Sequence, residues 1–307
     1  GSMRVATFNM QNLRLRRDRL DGARDGDRPE DTTRAAARLD PADRRLGAQL
    51  IARADADVVA LQEVFDRASL DHFHDRYLAR TEAGRYPWRV CLPGNDWRGQ
   101  DVALMSRRPL VDVESHAAAT PRDLGLEAPR GIDPDRPVFR RDCLRAGSGP
   151  LTLFVCHFKA PYPRVRKAWQ IRRMEARAVR RLIEARFADP AAALWLVLGD
   201  LNEPPDSADT PAIAPLLPPF SVDLLARLPP GRRWSWHDAD RDDYGRPDAL
   251  LASPALAGRF PDARPEILRA GLGHEAARHE GPRLEGTGWH RPHASDHAAL
   301  VVEFPGL

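Results

Sequence analysis

The stretch Leu194-Trp-Leu-Val-Leu-Gly-Asp-Leu-Asn202 decides the fold class of this chain. An apolar run of this length that ends at a glycine is typical of a strand buried on both faces. Gly199 lets the backbone bend without a β-carbon, and because strand side chains alternate, we expect Asp200 and Asn202 to point the same way. A carboxylate that orients water beside an amide that holds a phosphoryl oxygen suits phosphate chemistry. An Asp/Asn pair that only shapes a turn is the alternative.

Composition bounds the class of protein. The chain has 307 residues, 42% of them hydrophobic, and no shift in composition marks a linker, so we predict a single domain over residues 3–307. Gly1 and Ser2 are interpreted as a cloning remnant. The sequence shows no signal peptide or transmembrane run, which favours the cytoplasm, while a leader removed in cloning leaves secretion open. We presume a monomer.

The distribution of the basic residues is more informative than the net charge. The formal net charge is only +3, which by itself does not indicate a polyanionic partner. Of the 47 basic residues only Lys159 and Lys167 are lysines, and the others are arginines. Nine basic residues from Arg164 to Arg186 surround an apolar helical stripe. This face is either solvated or grips a phosphate backbone.

Hydrophobic patterns predict the remaining elements. Helices are predicted over residues 40–54, where Asp40 and Pro41 form the N-terminus, over 165–187, and as a short turn at 213–217. Residues 14–38 are almost wholly charged and are predicted to be a mobile surface loop, and residues 254–294 a second loop insertion. Strands are predicted at 4–13, 57–64, 86–92, 101–106, 111–117, 139–145, 151–156, 234–236, 248–253 and after residue 297.

Polar side chains follow several of these strands. The first strand ends in asparagines, and the second ends in Gln62 and Glu63. An acid that closes so apolar a run needs a partner, and a metal ion would provide one. The second loop carries His274, His279, His290 and His293. Their spacing fits no standard zinc motif, so they are interpreted as loop histidines.

Seven segments, in this order along the chain, resemble the endonuclease/exonuclease/phosphatase superfamily, the metal-dependent phosphoesterases related to pancreatic-type DNase and neutral sphingomyelinase. They are Thr-Phe-Asn9, Leu-Gln-Glu63, Asp101-Val-Ala-Leu-Met-Ser, Cys-His157-Phe-Lys159, Gly-Asp200-Leu-Asn202, Arg-Pro-Asp248-Ala-Leu-Leu and Ser-Asp296-His297. The resemblance implies an α/β fold, a four-layer αββα sandwich of two packed mixed sheets flanked by helices. Its active cleft would lie where strand tips from both sheets converge.

The resemblance also implies a role for each matched residue. Glu63 would be the main ligand of one or two Mg²⁺ or Mn²⁺ ions, assisted by Asn9 and Asp296. Asp200 would position and deprotonate the attacking water. The remaining catalytic residues would be Asn202 and His157, which hold phosphoryl oxygens, His297, which stabilises the same charge, and Asp248, which orients His297; Lys159 and Arg141 would bind substrate with Asn202.

Departures from the motifs of some members indicate which branch of the superfamily this chain resembles. Abasic-site endonucleases place an acid where this chain has Gln11 and an asparagine where it has His157. The histidine therefore resembles the DNase, sphingomyelinase and phosphatase branches. Pro247 replaces an aliphatic residue before Asp248. Without the family pattern, His157 would be interpreted as a strand-end histidine bonded to backbone.

The predicted function is hydrolysis of a phosphodiester. The pI of about 9.0 and the basic helix favour DNA or another nucleic acid as substrate. The first alternative is a phosphatase or phosphodiesterase acting on a small phosphorylated molecule or a lipid head group. The second is a non-hydrolytic member of the fold that binds a ligand or performs different chemistry.

Overall fold

Two six-stranded mixed sheets form the centre of the structure. The computed structural model describes residues 1–26, 28–205 and 210–307. Its strands are β1 (Ser2–Leu13), β2 (Leu15–Arg16), β3 (Arg19–Leu20), β4 (Val58–Val64), β5 (Trp88–Cys91), β6 (Asp101–Ser106), β7 (Val111–Ser115), β8 (Cys143–Ser148), β9 (Leu151–His157), β10 (Trp195–Asp200), β11 (Val222–Asp223), β12 (Trp236–Asp238), β13 (Asp243–Gly245), β14 (Asp248–Ala252), β15 (Glu266–Leu268) and β16 (Ala299–Pro305). The helices are α1 (Arg34–Ala37), α2 (Asp40–Ala54), α3 (Arg67–Arg76), α4 (Val165–Arg186) and α5 (Pro254–Arg259).

The two sheets share one pattern of strand directions. The first has the order β15-β16-β1-β4-β6-β5 and the second the order β11-β14-β10-β9-β8-β7. In each sheet the central pair, β1 with β4 or β10 with β9, is parallel, and its outer neighbours are antiparallel. Parallel strands finish at the same edge of a sheet. The carboxyl ends of each central pair therefore meet.

Alternation along the strands explains why their sequences are apolar without interruption. In β10, Leu196 and Leu198 pack between the sheets, whereas Trp195 and Val197 pack under α4. In β1, Val5 packs between the sheets and Phe8 faces the helices of the first outer layer. Both faces of a central strand are covered, as the opening stretch predicted.

The outer layers come from amphipathic helices. Leu46, Leu50 and Ile51 of α2 pack with Phe73 of α3 against the first sheet. The apolar face of α4, which includes Met174, Ala178 and Ile183, packs against the second sheet. The predicted four-layer sandwich is thus confirmed. Within the described ranges, the helices are too short or too polar for any of them to span a bilayer.

The region of residues 14–38 was wrongly predicted to lack structure. It contains the hairpin of β2 and β3, the short helix α1, and buried Leu20 and Ala23. The physical reason is Arg44, whose fully buried guanidinium donates to main-chain carbonyl groups of Met10 and Gly22 among others. A residue outside the segment organises it, so no local pattern could reveal this.

Smaller corrections concern element bounds. Residues 254–294 contain helix α5 and edge strand β15, and the strand predicted at 139–145 instead begins at Cys143. The strand predicted at 234–236 begins at Trp236, and the helix turn near 213–217 is a single 3₁₀ turn. Asp40 is the first helical residue rather than the N-cap, because its carboxylate is paired with Arg291.

Candidate active site

The predicted site residues lie where the central strand pairs of both sheets end. In the second sheet, Asp200 is in register with His157 on one side and Asp248 on the other. In the first sheet, Asn9 is in register with Gln62. The parallel pairs thus deliver their last residues to one edge, and the antiparallel neighbour β14 begins there.

The period of two along each strand aims these side chains at the space between the sheets. Asp200 has the parity of Leu196 and Leu198, and His157 that of Leu153 and Val155, all of which belong to the inter-sheet core. By the same alternation, Asn9 and Asp248 face this interface. The site is therefore the polar end of the inter-sheet core, which explains its burial.

Unusual backbone conformations terminate the strands at this edge. Glu63 and Asn202 have positive φ of 60° and 53°, and a bulge in the pairing of β4 falls at Glu63. Gly199 has a φ of 137°, and a β-carbon there would lie 1.9 Å from the main-chain oxygen of Cys156. Only glycine fits at that position, which lets β10 approach β9 beside His157.

The carboxylate of Glu63 is held in place by amides. The Asn9 side-chain nitrogen donates to Glu63 Oε2 at 2.8 Å, and the Asn12 main-chain N–H donates to Oε1 at 3.2 Å. Gln100 donates to the same Oε1 at 3.3 Å. The Asn9 nitrogen also donates to Asp200 Oδ2 at 3.0 Å. One amide therefore joins the acids of the two sheets.

His297 forms a dyad with Asp248. His297 Nδ1 lies 2.8 Å from Asp248 Oδ2, and Ser235 Oγ donates to that same oxygen at 2.7 Å. The other ring nitrogen, Nε2, lies 3.7 Å from Asp200 Oδ2. Asp248 thus sets the orientation of the ring, and the ring faces the acid at the end of β10.

His157 faces the same acid in a different electrostatic state. Its Nε2 lies 3.5 Å from Asp200 Oδ2, and its buried Nδ1 has no hydrogen-bond partner among the described residues. Burial, followed by the positive charges of Arg141 and His297, holds the pKa of His157 well below its ordinary value. His157 is therefore a neutral imidazole at pH 7.

The acids and His297 show the opposite shifts. Burial lowers the pKa of His297, but the negative charges of Asp248 and Asp200 outweigh burial and raise this pKa well above its ordinary value. Burial and the nearby Asp248 and Glu63 raise the pKa of Asp200 to about 7. Burial and Glu63 raise that of Asp296 to about 6. The site thus holds one cationic and one neutral histidine among mutually repelling acids.

Among the residues that the structure describes, two groups of side chains have metal-compatible geometry. Glu63, His157 and Asp200 place ligand atoms within 4.8 Å of one another, and so do Asp200, Asp248 and His297. The second group is explained by the hydrogen-bonded dyad of Asp248 and His297. The first has no internal cation, so a divalent ion would relieve the repulsion between its acids. The residues therefore fit a bound metal.

The predicted metal ligands differ in how well they are placed. Glu63 belongs to the first group. Asn9 turns its nitrogen to the acids while its oxygen accepts the Gln11 main-chain N–H at 2.9 Å, so in this arrangement it orients Glu63 rather than offering a ligand oxygen. Asp296 lies outside both groups, with Oδ1 3.9 Å from His297 Nε2.

The predicted substrate-binding residues also differ in their burial and in their hydrogen-bond partners. Arg141 is only 5% exposed and donates to Asp96 and to the Phe158 main-chain oxygen, so it supports the chain that follows β9, and its contact with substrate stays a prediction. Asn202 donates to the same Phe158 oxygen at 2.8 Å and keeps one amide hydrogen for another acceptor. The half-buried Lys159 donates to the Tyr162 main-chain oxygen at 2.8 Å.

Sequence reasoning missed several residues that support the site. Gln100 precedes β6 and contacts Glu63, and Ser235 contacts Asp248 from the Trp-Ser-Trp segment. Trp236 Nε1 donates to Asp296 Oδ2 at 3.4 Å. For Gln100 the available signal was its position directly before the segment that begins at Asp101, whereas Ser235 and Trp236 lie beside none of the seven segments. Only the fold shows which acid each one meets.

Fold and site together define the class of metal-dependent phosphoester hydrolases, enzymes that bring acids and histidines to one end of two packed sheets. The chain belongs to the Endonuclease/Exonuclease/phosphatase family, whose model matches residues 6–297. This confirms the resemblance drawn from the seven segments. No curated protein matches this sequence.

Solved structures share the fold. Truncated Caenorhabditis elegans TDP2 has 16% identity and a TM-score of 0.59, over 99% of this chain and 97% of that chain. D. rerio TDP2 complexed with single-strand DNA product has 18% identity and a TM-score of 0.58, over 98% of each chain. The 3′ phosphatase NExo from Neisseria, bound to a product DNA hairpin, has 20% identity and a TM-score of 0.55, over 98% and 99%.

Proposed function

We propose that this chain is a monomeric, single-domain phosphodiesterase that cleaves DNA with Mg²⁺ or Mn²⁺. The observation that carries the proposal is the surroundings of one atom, Asp200 Oδ2. Asn9 lies 3.0 Å from it, His157 3.5 Å and His297 3.7 Å. A carboxylate oxygen that faces both a neutral and a cationic histidine can hold a water molecule in a site prepared for negative charge.

Each side chain takes a role that its environment supports. Asp200 positions the attacking water and accepts its proton, and its raised pKa brings it near the working pH. His297, kept cationic by Asp248, stabilises the negative charge that builds on the phosphoryl oxygens. His157 and Asn202 donate N–H groups to the same oxygens. Lys159 contacts a neighbouring phosphate at the cleft mouth.

Glu63 would anchor the metal ion. Asp296 would approach it from the first sheet, His157 and Asp200 lie nearest by geometry, and Asn9 would keep Glu63 in place. When bound, the ion would supply positive charge to a phosphoryl oxygen and favour ionisation of water. Because His157 donates its N–H group to substrate, the ligands of the ion would be oxygen atoms, which suit Mg²⁺ or Mn²⁺.

The choice of DNA has two supports. Related folds have been solved with DNA products, namely D. rerio TDP2 with a single strand and Neisseria NExo with a hairpin. In this chain, the basic residues of α4 begin close to the cleft, after Lys159. A small phosphorylated molecule or lipid head group is the alternative substrate.

One metal-supplemented screen tests the proposal. Purified protein is assayed on a generic aryl phosphodiester, plasmid and single-stranded DNA, RNA, nucleotides, sugar phosphates and phospholipids, with Mg²⁺, Mn²⁺ or a chelator. We expect metal-dependent cleavage of DNA, with an affinity whose log–log salt slope is roughly −0.7 to −0.9 per phosphate contact. A flat salt response for the best substrate would favour the small molecule, and no hydrolysis of any ester would favour the non-hydrolytic alternative.

A further inference from the structure

A cavity distinct from the candidate active site lies between α4 and the loop of residues 120–137. Its volume is 590 Å³, within the range of about 300–1,000 Å³ typical of ligand pockets. The buried side chains of Val138, Ile171 and Met174 form the apolar part of its lining. Among the described residues, none of those given a catalytic role above lines it.

The polar lining of this cavity is mainly positive. Among the described residues, its lining includes three basic side chains, Arg136, Arg140 and Lys167, and one carboxylate, that of Asp133. Arg136 lies 3.7 Å from Asp133, whereas Arg140 and Lys167 donate to neighbouring main-chain carbonyl groups. A guanidinium or ammonium group keeps further N–H donors after one such bond. Excess positive charge next to apolar side chains suits an anion that carries a flat apolar group.

The cavity and the active site share a wall. Arg140 lines the cavity, and the next residue, Arg141, donates to the main-chain oxygen of Phe158 at the end of β9. The buried carboxylate of Glu175 on α4 accepts the main-chain N–H of Arg140 at 3.1 Å and that of Lys159 at 2.7 Å. Glu175 therefore joins the main chain that borders the cavity to the main chain that follows β9.

We propose that the cavity binds the nucleotide unit next to the scissile phosphodiester. Arg140 and Lys167 hold its phosphate, and Ile171 and Met174 contact its base. The inference rests on the proposed function and narrows its substrate class to a strand with at least two phosphates. It also gives a place to both lysines of the chain, Lys159 at the cleft and Lys167 in the cavity.

The test compares a strand with an isolated phosphodiester. We expect Arg140→Ala with Lys167→Ala to lower, by tenfold or more, the ratio of kcat/KM for a short single-stranded deoxyoligonucleotide to that for bis(4-nitrophenyl) phosphate. The salt slope for the strand should become shallower by roughly 0.7, since the contact with the one phosphate that both side chains hold is lost. The exchange Arg140→Lys with Lys167→Arg should retain most of the ratio, because it keeps both charges.

A matched control removes the same charge elsewhere. Arg53 and Arg76 are exposed on α2 and α3, in the opposite helical layer, and their double alanine variant should leave the ratio within twofold. Equal effects of the two double variants would overturn the subsite, and thermal melting shows that each variant is folded. If wild type hydrolyses neither substrate, the proposed function fails. Binding of the labelled strand, measured by anisotropy without metal, then still judges the subsite through the same variants.

Discussion

Two clusters of buried charge in this molecule differ in how their charges are balanced. The Arg291 cluster joins residues 21–43 to the second loop and consists of Asp31, Asp40, Asp43, Glu275, His290 and Arg291. Arg291 lies 2.8 Å from Asp40 and 2.7 Å from Asp43, and His290 lies 3.2 Å from Asp31. Each of these acids has a cation within the cluster.

The active-site cluster has no such balance. Glu63, Asp200, Asp248 and Asp296 share a single cationic side chain, His297, among the described residues. Two buried atoms of this cluster, Asp248 Oδ1 and His157 Nδ1, have no hydrogen-bond partner among the described residues. The comparison teaches that buried charge by itself does not mark a functional site. A cluster whose charges are paired holds loops together, whereas one with excess acid is prepared for a cation and a substrate.

The largest expected effect falls on catalysis. Asp200→Asn should lower kcat on the aryl phosphodiester by about 10²- to 10⁴-fold, because the water loses its base. The metal-free protein should unfold at the same or a higher temperature, since one of several repelling acids is gone. Activity assays and melting curves measure both. A variant that loses stability and activity together would place Asp200 with the structural cluster instead.

The opposite result is expected in the Arg291 cluster. Arg291→Ala leaves Asp40 and Asp43 buried without their cation and should lower the free energy of unfolding by about 3–5 kcal/mol. Urea denaturation measures the change. Arg53→Ala on the exposed face of α2 is the control and should change it by less than about 0.5 kcal/mol. A loss as small as that of the control would mean that the cluster does not hold the loops.

A double-mutant cycle tests whether Asp248 acts through His297. Asp248→Asn and His297→Ala should each reduce turnover, but the double variant should be little worse than His297→Ala, with a coupling energy within about 0.5–3 kcal/mol. Without the ring, its orienting carboxylate has little left to do. Measured kcat/KM values complete the cycle. Effects that multiply would show that Asp248 does not act through the histidine.

The smallest effect is a pH dependence of stability in the Arg291 cluster. Hydrogen bonds with Asp31 and Glu275 raise the pKa of His290 to about 9, above its ordinary 6.5. Its contribution is therefore complete below pH 6.5 and is lost as the pH rises through 9. After discounting for partial exposure it is roughly 1–2 kcal/mol. His290→Ala should make the free energy of unfolding, measured by urea denaturation at several values between pH 6 and 10, less dependent on pH. An unchanged dependence would assign it to other groups.

Local patterns in the sequence predicted buried strands in an α/β domain, and the family resemblance implied two packed sheets with a site at their shared end. Strand character is a local property of the chain, since apolar runs and turn residues lie within a few positions of one another. Asn9, Glu63, His157, Asp200 and Asp248 each lie at an end of such a run, and the resemblance implied that these strand ends converge. The family pattern supplied their expected roles.

Which side chains contact one another depends on the three-dimensional fold. The contact that buries Asp43 against Arg291 joins residues 248 positions apart. Arg44 organises residues 14–38 although it lies outside that segment, and no local pattern in the sequence indicates this. Arg141 is buried and donates to the main-chain oxygen of Phe158, while its neighbour Arg140 lines the cavity beside α4. The physical reason is that hydrogen bonds and charge pairs depend on distance in space. A one-residue shift along a strand exchanges the face on which a side chain lies.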